Sequence, residues 1–178
     1  MKKDLATHLT FMVAIFALAT LFNRLFSLNV VVAFWVGGIL GILLPDIDHL
    51  LYVYLLHPSD TISTQVSGLI QNKQYIKTWD TLVATRFQRT DLLFHTASFQ
   101  VIFLVFAFLV LTSSSSFLGK GIVLSFALHL VIDEATDLLE NKNVEGWFLK
   151  FPLNLDTQQK KWFLAANVIV VLLFALMV

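Results

Sequence analysis

The chain has 178 residues, which sets a single compact domain as the expectation. Hydrophobic residues make up 57% and charged residues only 13%, against roughly 25% charge in a soluble domain, so polar groups are too few to clothe a water-facing surface. This excludes a disordered chain, a coiled coil and a basic nucleic-acid-binding domain, and it argues against an ordinary soluble enzyme. Net charge is formally zero, from 12 basic and 12 acidic residues. Cysteine is absent, which removes disulfides and thiolate metal sites. Any metal would have to be held by His, Asp or Glu. No Asn-x-Ser/Thr acceptor occurs.

A membrane-crossing helix needs about 20 mainly apolar residues. Five stretches approach this: residues 5–22, 28–44, 92–111, 117–132 and 162–178. They predict an all-α, polytopic transmembrane helical bundle forming one integral membrane domain over 1–178. The first stretch also has features of a signal peptide, a Lys2-Lys3 start and an Ala17-Leu18-Ala19 triplet. No soluble domain follows it, so it is read as a retained span.

Lys and Arg positions set the orientation. With a cytoplasmic N-terminus, Lys2, Lys3, Lys73, Lys77, Arg86, Arg89, Lys142, Lys150, Lys160 and Lys161 lie inside, and only Arg24 and Lys120 lie outside. The expected topology is therefore N-terminus inside, with cytoplasmic loops over 45–91 and 133–161. In the first loop Ile62, Val66, Leu69, Lys73, Ile76, Asp80, Val83 and Phe87 step by three or four, with Trp79 and Leu82 beside them. That is an amphipathic helical pattern. It suits either the anionic leaflet surface or a helix packed over the spans. Trp147, Phe148, Phe151 and Trp162 in the second loop read as interfacial anchors.

In so apolar a chain the ionisable residues at the spans carry the information. His8 starts span one. Asp46, Asp48 and His49 follow span two in Leu43-Leu44-Pro45-Asp46-Ile47-Asp48-His49. His95 starts span three, and His129 and Asp133 close span four, with Glu134 and Asp137 beyond. The orientation from Lys and Arg alone puts all four groups at one depth on the cytoplasmic side. Imidazole and carboxylate are ligands of Zn²⁺, Mn²⁺ and Fe²⁺. His129 and Asp133 share a helical face at i, i+4. His8, Asp46, Asp48, His49, His95, His129 and Asp133 exceed one tetrahedral site and would serve one or two divalent ions. Arg86 and Arg89 suit a substrate phosphate.

These pieces (His8, Leu43 to His49, His95-Thr96 and His129 to Asp133) resemble a family of membrane-bound, metal-dependent hydrolases that includes the LexA-binding inner-membrane protein. The pattern is also similar to the zinc-dependent phospholipase C superfamily. The resemblance implies a zinc-binding hydrolase of the inner (plasma) membrane. One departure stands out. Where such families show His-Arg-Gly-x-Thr-His-Ser, this chain has Thr90-Asp91-Leu92-Leu93-Phe94-His95-Thr96, which leaves Asp91 as a replacement ligand or one metal fewer.

The leading expectation is metal-dependent hydrolysis of a phosphoester, in a lipid or a membrane-proximal substrate. A metal-activated water would attack, with Asp48 or Glu134 as general base. The partners expected are the bilayer and a lipid substrate, with no nucleic acid. The alternatives are a divalent metal-ion transporter or sensor, and a non-catalytic membrane scaffold with a structural metal.

Overall fold

The computed structural model of the chain describes residues 2–89, 91–139 and 144–178, without the side chains of residues 2–4 and of Phe87. Thr90 and Lys142 lie outside the described residues. Every described element is helical. The described α-helices follow in order: α1 (Lys2–Phe22), α2 (Leu28–Leu43), α3 (Ile47–Leu51), α4 (Thr61–Gln71), α5 (Tyr75–Ala84), α6 (Ala97–Ser113), α7 (Phe117–Leu139), α8 (Glu145–Phe148) and α9 (Thr157–Ala175). A π turn, Tyr52–Leu56, extends α3, and a 3-10 turn, Arg86–Gln88, follows α5.

The centre of the bundle is α7. Each of its residues from Val123 to Glu134 is buried. A helix apolar on all sides must be enclosed on all sides, and α1, α2, α6 and α9 enclose it. The pairing of α2 with α7 is the most intimate. A Cβ on Gly37 would lie 2.2 Å from the carbonyl oxygen of Leu118, one on Gly41 2.3 Å from that of Ile122, and one on Gly121 2.2 Å from that of Phe34. Backbone therefore meets backbone along a small-residue seam, the device that brings helices together where hydrophobic burial gives no drive. Gly38 makes room for the ring of Phe16, which stacks on Phe34.

The outer faces are apolar. Phe11, Leu21, Ile102, Phe106, Ile169 and Leu173 are all exposed. Two helical runs, Leu5–Phe22 and Leu28–Leu56, are long and apolar enough to cross a membrane, and Ala97–Ser113 is a shorter apolar helix.

Helical structure runs beyond several expected ends. The second run does not stop at Leu44. It bends there, where Pro45 removes a donor, and resumes as α3. Asp133 lies inside α7, which continues to Leu139, and α9 starts at Thr157. The loop over 57–91 differs most from expectation. It holds two helices rather than one continuous stripe, because Lys73 adopts φ 56° and closes a turn between α4 and α5. That turn resets the helical phase. Val66 is buried as the stripe requires, and so is Leu82 beside it, but Ile76 is 70% exposed and α5 buries Thr78, which the stripe leaves out.

Gly121→Ala should cost about 1–3 kcal/mol by overpacking against Phe34. Gly68→Ala in α4, where a Cβ would meet nothing within 4 Å, should be neutral or stabilising by about 0.5–1 kcal/mol through helix propensity. Thermal unfolding of the two variants in one detergent reads the difference.

Candidate metal centre

Asp133 sits one turn after His129 on α7, and both side chains are 2% exposed. Three imidazoles from three other positions in the chain converge on this carboxylate. His8 Nε2 of α1 is 3.1 Å from Oδ1. His95 Nε2, two residues before α6, is 3.0 Å from Oδ2. His129 Nε2 is 3.2 Å from Oδ2. His8, His129 and Asp133 offer ligand atoms all within 4.8 Å of one another, and all three residues are buried, so the group is able to hold a metal ion. Asp46 completes the edge of the cluster, with Oδ1 3.8 Å from His129 Nε2, and its side chain is 26% exposed.

The orientation of His129 follows from its other nitrogen. Nδ1 lies 2.7 Å from the carbonyl oxygen of Ile42. A carbonyl only accepts, so Nδ1 carries hydrogen and Nε2 is the ring atom turned to the cluster. A ligating histidine is held in this way by a backbone carbonyl behind it. His129 Nε2 lies between two carboxylates, 3.2 Å from Asp133 Oδ2 and 3.8 Å from Asp46 Oδ1. Imidazole nitrogen and carboxylate oxygens so placed are able to share a cation.

Other expected ligands lie differently. Asp48 is fully buried, and its oxygens accept from the backbone N–H groups of Leu93 (2.9 Å), Phe94 (2.6 Å) and His95 (3.2 Å) and face His95 Nδ1 (3.1 Å). Oδ2 takes three of these four contacts and Oδ1 one, so the carboxylate expected above as metal ligand and general base is engaged chiefly by the 93–95 segment. His49 stacks on His95, with centroids 5.2 Å apart, and its Nδ1 accepts from Arg89 Nε at 3.4 Å. It packs behind the cluster. Glu134, expected as a base, points from the other side of α7 toward Gln100 of α6 and Asn167 of α9. Successive residues on a helix are about 100° apart, so Asp133 and Glu134 face different neighbours. Asp91, the candidate replacement ligand, pairs with Lys150 and with His57 Nε2 at 3.2 Å. Those two partners hold its carboxyl below the usual carboxylate range.

The two arginines also differ from expectation. Arg86 Nη1 donates to Asp133 Oδ1 at 2.9 Å and Nη2 to Asp137 Oδ2 at 3.4 Å, so it forms one wall of the cluster. Arg89 is buried and donates to the carbonyl of Leu82 (2.5 Å) and to Thr85 Oγ1 (2.7 Å). Burial, with Arg86 nearby, pushes its pKa down to about 10. Its donors are committed to protein acceptors rather than aimed outward for a phosphate.

Trp147 belongs to the site, not to an interfacial belt. Its Nε1 donates to Asp137 Oδ2 at 2.8 Å, and its ring meets His95 edge-on at 5.7 Å. Only the return of α8 against α6 brings it there, and no periodicity in the sequence signals that. Phe148 and Phe151 pack with Phe163 of α9, while Trp162 is 66% exposed.

Comparison with protein-family descriptions, with curated proteins and with solved structures finds no match.

Asp91→Ala should leave metal content unchanged and cost at most about 1 kcal/mol, the scale of an exposed ion pair. Elemental analysis and thermal unfolding of that variant check both halves.

Proposed function

We propose that the chain is a membrane-embedded, metal-dependent hydrolase acting on a phosphoester of a lipid or membrane-proximal substrate. The observation that carries the reading is the convergence of His8, His95 and His129 on the buried Asp133. These four residues would hold one divalent ion, with zinc the natural match for an imidazole-rich set and manganese or iron also compatible. Bound there, the ion supplies Lewis acidity to a phosphoryl oxygen and activates water at neutral pH.

The protein's own groups have separable tasks. Three histidines and Asp133 orient the ion. With Asp48 turned to the 93–95 segment, Asp46, the partly exposed carboxylate beside the cluster, would accept a proton from water. Arg86 balances the charge of Asp133 and Asp137. The exposed apolar side chains of Leu43, Ile47 and Leu50 flank Asp46, which favours an amphiphilic substrate over a fully soluble one.

The same reading takes the bundle as five spans with the N-terminus and the cluster facing the cytoplasm. The apolar outer faces of α1, α2, α6 and α9 support the spans, and the ten-to-two distribution of basic residues supports the orientation.

Purified protein should contain a stoichiometric divalent metal, and His129→Ala/Asp133→Ala should lose it, with circular dichroism reporting the helix content the variant keeps. Reconstituted wild type should hydrolyse a phosphodiester lipid or chromogenic phosphodiester, and the double variant should not. Metal-free wild type would defeat the site. Metal uptake into proteoliposomes without turnover would favour a transporter, and bound metal with neither activity a structural scaffold.

A further inference from the structure

We infer that Asp48 is a positioning residue: it fixes the proton of His95 on Nδ1 and so commits Nε2 of that ring to the cation beside Asp133. The inference deepens the metal-centre reading and rests on it for the identity of the cation, though not for the state of the ring.

The geometry divides the Asp46-Ile47-Asp48-His49 motif. Asp46 faces His129 at the partly exposed edge of the cluster. Asp48, two residues on in the helical turn of α3, faces the segment that leads into α6. There it collects the three successive amides of Leu93, Phe94 and His95 together with the ring of His95. The amides fix where the backbone of residue 95 sits. The fourth contact fixes how its ring is turned. An ionised carboxylate only accepts, and each ring nitrogen faces one, Nδ1 that of Asp48 and Nε2 that of Asp133, so both carry hydrogen until a cation takes the Nε2 lone pair, and the proton that stays is the one on Nδ1. Nε2 then points to Asp133, 3.0 Å away.

Two neighbours hold the ring in that plane. His49 stacks on it, and Trp147 meets it edge-on. Thr96 follows as the N-cap of α6, accepting from the N–H of Phe99, so the segment turns into helix directly after His95. His95 thus resembles His129 in arrangement. Each ring has its Nδ1 proton tied to an acceptor behind it, Asp48 in one case and the Ile42 carbonyl in the other, and each turns Nε2 toward the cation position. Carboxylate–histidine pairs of this kind raise ligand basicity and fix ring orientation. A purely structural Asp48 would hold the amides alone and have no effect on the ring.

The experiment uses full-length protein in nanodiscs with ¹⁵N-labelled histidine. In wild type, the His95 signal, assigned by its loss in His95→Gln, should show a protonated Nδ1 with and without zinc, and zinc should shift Nε2. Asp48→Asn keeps an oxygen for the amides but removes the charge. It should lower zinc affinity roughly 10- to 100-fold while leaving the number of oxygen ligands seen by X-ray absorption unchanged. An unprotonated Nδ1 in wild type would overturn the inference whether or not metal binds. So would loss of one oxygen ligand in Asp48→Asn, which would make Asp48 a direct ligand, or unchanged zinc affinity in that variant. If wild type took up no zinc, the metal reading would fail, and the Nδ1 signal would still decide the Asp48–His95 pairing.

Discussion

A carboxylate removed from water has to be answered by charge or by hydrogen bonds, and the carboxylate of Asp133 is removed almost completely. It is answered from several directions at once. His8 comes from the first helix, His95 from the turn before α6, His129 from one turn back on α7, and Arg86 from the segment after α5. Each partner belongs to a different stretch of chain. The electrostatic demand of one side chain thereby ties together the elements that a bundle of apolar helices would otherwise hold only by shape. Breaking such a buried network by removing one member strands the others, so the cluster is both the chemical centre and a structural knot.

The packing around it is arranged to keep that knot in register. The glycine seam lets α2 and α7 touch backbone to backbone. The close approach is what puts the Ile42 carbonyl within hydrogen-bond reach of His129. A bulkier seam would part the helices and leave the imidazole free to turn. On the other side, Asp48 draws the 93–95 segment in and delivers His95. Both acidic residues of the motif follow the Pro45 bend, Asp46 at the N-cap of α3 and Asp48 within it, and they face different neighbours.

Much of this was legible in the sequence, and the reasons are specific. Long apolar stretches report helices and burial directly. The scarcity of charge made His8, His95, His129 and Asp133 stand out, and the basic residues alone put all of them at one end of the bundle. Roles within the cluster were less legible, because a role depends on which lone pair faces which neighbour. Spacing could not say that the oxygens of Asp48 are engaged by amides 45 to 47 residues away, or that Glu134 turns toward Gln100 and Asn167. The loop over 57–91 departs from the expected stripe at Ile76 for a local reason: one left-handed residue, Lys73, breaks the helix between α4 and α5. Trp147 was missed because its place in the site is a product of tertiary folding alone.

The account rests most directly on the claim that these side chains form the inner sphere of a divalent metal. X-ray absorption at the metal edge of purified, detergent-solubilised protein tests it. The account predicts strong imidazole back-scattering from the histidines together with carboxylate oxygen, diminished in His129→Ala. A sphere of oxygen alone, or an absorption edge no stronger than buffer, would contradict it.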